Sequence, residues 1–238
     1  MLAKNLRISF ILSIIVWNSA CTEIETETDP APAGIYIGSI TPAGGSANNA
    51  MAIISSTGDV SIINRDTGES LSGTRSENSI TGTLYASTSV AATAEISLVL
   101  GDNISGTYSS SLGGGSFALT GLTTLYNRTS ELSKLTGVWV DSVFTNQIGT
   151  STWAILPDGS YTLTSVPGCN ASGSFTVFNA SNNEYTLTMD VTTCGALNGS
   201  YTGLAFLSDS DGTNGTNDTL SVMIANGTAG GLLEPIKQ

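Results

Sequence analysis

From Gly34 onward the chain alternates apolar and polar residues with a period of two, in short runs separated by clusters of Gly, Asn, Asp and Ser. That is the pattern of antiparallel strands and hairpins, and helical periodicity is almost absent. The clearest run is Tyr185-Thr186-Leu187-Thr188-Met189-Asp190-Val191, in which the odd-numbered residues are apolar and the even-numbered ones polar. One face of such a strand is buried and the other meets water. Leu220, Val222 and Ile224 follow the same rule, less cleanly because Met223 and Ala225 intervene.

Strands are predicted over 34–40, 50–55, 59–64, 79–86, 93–100, 104–109 and 115–122. A second set follows at 137–140, 153–155, 160–165, 173–178, 184–191, 197–207 and 219–226. Turns punctuate them, most clearly at Pro157-Asp158-Gly159, where proline pre-sets φ and glycine accepts a positive φ. The second set echoes the first. Gly137-Val138-Trp139 answers Gly34-Ile35-Tyr36, and the stretch from Gly173 to Tyr201 answers the one from Gly82 to Tyr108. A repeat of about 100 residues is too long for a propeller blade or solenoid unit and implies duplication of a whole small barrel or sandwich. Between the units, 129–135 is the best helix candidate, with Thr129 or Ser130 as cap and Leu132 and Leu135 on one side. Barely two turns long, it persists only by packing on a lobe, as a linker or plug.

The expected architecture is therefore all-β: two tandem antiparallel, barrel-like lobes at 34–126 and 137–238, joined by a linker at 127–136. Gly-x-aromatic triplets recur at Gly34-Ile35-Tyr36, Gly106-Thr107-Tyr108, Gly137-Val138-Trp139, Gly173-Ser174-Phe175 and Gly199-Ser200-Tyr201. Glycine permits the sharp bend of a small barrel, and a neighbouring ring fills the space it leaves. A meander built this way resembles the up-and-down barrels of lipocalins, avidins and bacterial surface lipoproteins of the transferrin-binding-protein B type. That resemblance covers the repeat scheme and carries no functional motif.

The first 33 residues change the picture. Lys4 and Arg7 precede an apolar run at 8–16 too short to span a bilayer, and Ser19 and Ala20 precede Cys21. This is read as a secretory signal peptide over 1–20. The placement of Cys21 resembles the lipobox of bacterial lipoproteins, in which that cysteine is lipidated; the position where that family prefers an aliphatic residue is Asn18 here. Residues 21–33 then form an acidic, proline-containing tether without an apolar face. By resemblance to Gram-negative lipoproteins, Thr22 after the cysteine implies the outer membrane, with the body facing the periplasm or the exterior.

Composition narrows the function. Removal of 1–20 leaves 5 basic residues against 19 acidic ones, a net charge of −14. Such a chain repels nucleic acid, so the expected partners are the membrane through a lipid anchor and an envelope or extracellular protein. Histidine is absent, which removes Ser-His-Asp triads and every His-ligated metal site. Cys169 and Cys194 are expected to form one disulfide in an oxidising compartment, worth about 3.5 kcal/mol in the chain-entropy model.

The chemical candidates are few. Asp209, Asp211 and Asn214 resemble a calcium loop superficially but lack the closing glutamate of an EF-hand, so a solvated turn explains them better. Asp209 and Asp211 are also the nearest approach to a hydrolase carboxylate pair, without any sign of a cleft between them. No cofactor is implied. The leading expectation is a non-enzymatic envelope lipoprotein that presents a binding or structural surface. The alternative is a carrier of a small apolar ligand inside one barrel, lined by residues such as Trp153, Phe175, Tyr185 and Leu187. A carboxylate-dependent hydrolase ranks last.

Overall fold

The computed structural model describes residues 33–86, 89–99, 103–111, 113–141, 150–165, 168–208 and 216–238. The signal segment and tether with Cys21 lie outside the described residues, apart from Ala33. The first barrel is built from β1 (Gly34–Pro42), β2 (Asn48–Ile54), β3 (Asp59–Asn64), β4 (Ser70–Ser76), β5 (Ser79–Ala86), β6 (Ser89–Val99), β7 (Asn103–Ser110) and β8 (Gly113–Gly121). Each strand pairs antiparallel with the next, and β1 returns to β8 in the register Gly38↔Leu119, closing the sheet. Two short helices follow, α1 (Thr123–Tyr126) and α2 (Leu132–Leu135).

The second barrel comprises β9 (Gly137–Asp141), β10 (Ser151–Ile155), β11 (Ser160–Ser165), β12 (Asn170–Val177), β13 (Tyr185–Thr192), β14 (Gly199–Ser208) and β15 (Thr219–Ala225), completed by β16 (Gly230–Leu233) and β17 (Ile236–Lys237). The last two are one strand interrupted at Glu234 and Pro235. Proline has no N–H to give the ladder, and the Glu234 N–H turns aside to Asp141 Oδ2 at 3.2 Å. Beyond the break, β17 pairs with both β15 and β9, in the register Ile236↔Val140. The molecule is thus all-β, two tandem closed antiparallel barrels of eight strands each.

Each barrel holds one strand more than its sequence pattern suggests. In β4 the only apolar residue is Leu71, so no alternation marks it, and the glycines and proline around β16 read as loop. The internal echo also shifts. Gly82 lies on the fifth strand of its barrel and Gly173 on the fourth of the other, so the two stretches are one strand out of phase. The opening strands do correspond: Tyr36 and Trp139 both point into their barrels.

Rings do cover glycines in both barrels, at Gly106, Gly115 and Gly173 from the neighbouring strand rather than from within the same triplet. A Cβ at Gly173 would run into the Thr188 carbonyl oxygen, and the space above is taken by Tyr161 from the strand opposite. This is cross-strand filling of a glycine by a ring, as at Gly106 under Phe117 and Gly115 under Tyr108.

The predicted single wet face fails along one side of each barrel. Ile35, Met51, Ile53 and Ile63 point outward from the first barrel, yet all are buried, against Leu204, Phe206, Met223 and Leu232 of the second. Their inward neighbours Ala52, Ile54, Ile62, Ala205 and Val222 are buried as well. Apolar residues that interrupt the alternation, such as Met223, therefore form the contact between the lobes. Backbone comes close there: a Cβ at Gly230 would lie 2.8 Å from the Tyr85 ring and 3.0 Å from Ser70 Oγ. An Arg65–Glu234 ion pair at 2.7 Å rims the contact. Being partly exposed, it contributes at most about 1 kcal/mol.

Helix α2 plugs the second barrel. Leu135 belongs to its core, Leu132 packs beside it, and the Leu135 carbonyl accepts the Trp139 indole N–H at 2.7 Å. The N-cap is Glu131 rather than Thr129 or Ser130; Ser130 Oγ instead donates to the Asn179 carbonyl.

The inter-lobe patch makes a direct prediction. Phe206→Ala removes a ring that is 1% exposed. It should lower stability by about 3–5 kcal/mol in urea denaturation and split one unfolding transition into two. A loss below about 1 kcal/mol with a single transition retained would show that the lobes do not depend on this contact.

Candidate functional site

The two barrels share a topology and differ in what fills them. In the second, Trp153, Tyr161 and Phe175 stack with ring centroids 5.2 Å and 5.1 Å apart in sequence, and Trp139, Tyr185 and Leu187 complete the same cluster. Their polar tips are satisfied: Tyr161 Oη donates to the Thr188 carbonyl, and Trp153 Nε1 to Ser151 Oγ. Tyr185 Oη donates to the Glu131 carbonyl and accepts the Glu131 N–H. Burial pushes the Tyr185 phenol up to about 12. The four residues expected to line a ligand space, Trp153, Phe175, Tyr185 and Leu187, are all in this packed interior.

At the far end of the same barrel Cys169 and Cys194 form a disulfide, with Cα atoms 4.7 Å apart. It ties the approach to β12 to the turn before β14. The space beside it is only about 80 Å³, between Leu163, Met189 and Tyr201.

The first barrel is different. Its interior is built from Ile, Leu and Val with Ala50, Ala52 and Ala94, and Tyr36 and Phe117 are the buried rings in its core. Smaller side chains in an equal number of strands leave room. An open cavity of about 220 Å³ lies at the mouth formed by the turns between β3 and β4 and between β7 and β8. Ile40, Ile62, Leu71, Leu84, Ile96 and Phe117 wall it. Tyr108 stands at its edge, its phenol raised by burial and by the Glu69 charge. Asn64, 3% exposed, shares the inward register of Val60 and Ile62. No protein-family model, curated protein or solved structure matches this chain. The cavity must therefore be read from its own chemistry.

A second opening, about 340 Å³, runs between the lobes and is faced by hydroxyls, among them Ser61, Ser72, Ser174, Thr176 and Thr186. Among the described residues no group of three or more His, Cys, Asp or Glu side chains gathers where a metal could be held. Asp209, Asp211 and Asn214 lie outside the described residues, as does Cys21.

Sequence reasoning passed over two positions. Asn64 was signalled only by being polar in an inward register. Glu184 gave no signal, because a glutamate beside a turn looks solvated. In the structure it is 0% exposed and lies between the lobes. Glu184 Oε2 accepts from the Ser56 N–H at 3.2 Å, Ser56 Oγ at 3.3 Å and Tyr126 Oη at 3.1 Å. Its Oε1 has no partner among the described residues. Neighbouring Asn183 donates to the Leu125 and Leu207 carbonyls and accepts the Leu207 N–H. Burial raises the Glu184 carboxyl above its ordinary value, against the lowering effect of the bonds from Ser56 and Tyr126; the Asp59 charge adds to the rise.

The sign of the pH effect follows. An acid whose folded pKa is raised binds more protons folded than unfolded, so stability falls as pH rises from the ordinary value near 4.5 through the folded one. Glu184→Gln should flatten that fall, measured as urea midpoints between pH 4 and pH 8 (roughly the span over which a raised carboxyl titrates). Parallel profiles for the two proteins would contradict the assignment.

Proposed function

We propose that this chain is a non-enzymatic lipoprotein of the cell envelope, held at the outer membrane through Cys21, with its two-barrel body facing the periplasm or the exterior. The signal-like segment, the acidic tether and the lack of histidine support this reading. So does a body in which most outward strand positions are Ser and Thr, as a solvated surface requires. The observation that carries it further is the contrast between a packed barrel and an open one: the second lobe serves as scaffold and the first presents the binding space.

That contrast favours the carrier reading within the same proposal, with the ligand in the first barrel rather than the second. Resemblance to lipocalins and avidins, whose eight-stranded barrels hold one small ligand, points the same way.

Radiolabelled palmitate should enter the wild-type protein and not Cys21→Ser; an unlabelled wild type would remove the anchor. Native mass spectrometry of protein extracted from its own membrane should show a small non-covalent adduct. A bare mass from repeated preparations would remove the carrier, and turnover of envelope glycans or esters would remove the non-enzymatic reading.

A further inference from the structure

The mouth of the first barrel contains a buried amide whose hydrogen-bonding capacity is half used. Asn64 Oδ1 accepts the N–H groups of Asp66 at 3.2 Å and Thr67 at 3.3 Å. Two donors on that atom fix which end of the amide is oxygen, because a flipped amide would set NH2 against two N–H groups. Nδ2 therefore faces the other way. It is buried and has no hydrogen-bond partner among the described residues. Leaving a buried amide donor unpaired is costly, and here Asn64 lines an apolar cavity open to the outside.

We propose that this mouth binds a small, uncharged amphiphile: a body of about one ring lodged among Ile62, Leu84, Ile96 and Phe117, with an oxygen that accepts from Asn64 Nδ2. Three observations set the class. An apolar cavity of about 150 Å³ suffices for benzene, so 220 Å³ takes a single ring with a short polar substituent. The unpaired donor at the mouth calls for an acceptor on the ligand, such as an ether or carbonyl oxygen. Charge excludes anions: Glu69 is part of the lining, no cation lines the cavity among the described residues, and the mature chain is strongly acidic. A fatty-acid carboxylate would meet repulsion from Glu69 at the entrance and find no cation in the described lining to offset its desolvation. The opposite end of the barrel is filled by Tyr36, Ile54, Ile80 and Ile104, so the ligand enters and leaves by one mouth.

This inference rests on the carrier reading and adds the site and the ligand class to it. The test is an NMR titration of the whole protein with anisole, whose ether oxygen accepts but cannot donate, and with toluene and benzoate. Anisole and toluene should shift signals of residues around the mouth, and benzoate should not. Asn64→Asp keeps the oxygen that receives the Asp66 and Thr67 N–H groups and removes the donor. It should weaken anisole about fivefold, the value of one neutral hydrogen bond, and leave toluene unchanged. Leu84→Trp, which puts a ring into the cavity, should abolish both and serves alone if Asn64→Asp does not fold. No binding of either neutral probe, benzoate binding as tightly as anisole, an undiminished anisole affinity in Asn64→Asp, or binding that survives Leu84→Trp would each overturn the proposal. Native adducts combined with failed probes would sink this assignment and spare the carrier; absence of both would sink the two together.

Discussion

Closure of eight strands fixes how much space a barrel encloses, and the rest of this molecule follows from how that space is used. With eight strands the interior is just wide enough to be filled by side chains or to admit one small ligand. Which outcome holds is decided by side-chain size. Trp139, Trp153, Tyr161, Phe175 and Tyr185 fill most of the second interior and leave only about 80 Å³ beside the disulfide. The first interior holds only Tyr36 and Phe117 as buried rings among its described core residues, and a cavity remains near its mouth. Two copies of one topology thereby acquire different capacities without any change in strand number.

Closure also removes free strand edges, which for isolated hairpins are sites of aggregation. It does not remove apolar outer faces. Ile35, Ile53 and Ile63 would be exposed on a solitary first barrel, and Leu204, Phe206 and Met223 on a solitary second one. Packing them together makes one body from two lobes, with Glu184 and Asn183 pinning the second lobe to α1 and to the Ser56 turn. A carboxyl in that position is held by three donated bonds to one oxygen and none to the other. That is a weak form of pairing for a group so deeply buried.

Where one face of a strand is wet, its pattern was readable directly: Tyr185, Leu187 and Met189 are buried as their alternation requires. Strands with two buried faces defeated the same rule, since the outward Met223 looks like noise when only one apolar face is expected. β4 was invisible because, after Leu71, its inward positions hold Gly73 and Arg75, which no hydrophobic pattern can mark. Pairing of Cys169 with Cys194 needed only the arithmetic of two cysteines in one lobe. The cavity was harder. Aromatic residues attract attention as ligand platforms, yet large rings close a small barrel and small aliphatic residues open it. The distinguishing feature was thus the shortage of rings in the first core, a property of the whole set and of no single residue. Asn64 and Glu184 depend on which segments distant in the chain come to surround them, and local sequence does not encode that.

The ladder that seals the second barrel is made by Ile236 and Lys237 against β9, a strand nearly 100 residues earlier. Synthesis runs from the N-terminal end, so the first barrel can close as soon as residue 121 has appeared. Its greasy flank at Ile35, Ile53 and Ile63 must then wait uncovered until β14 to β16 arrive. During that interval the half-made molecule resembles a sticky monomer more than a finished domain. A chaperone, or a rapid translation rate across the second half, would shelter the newborn chain at the stage when it is most prone to adhere to its neighbours.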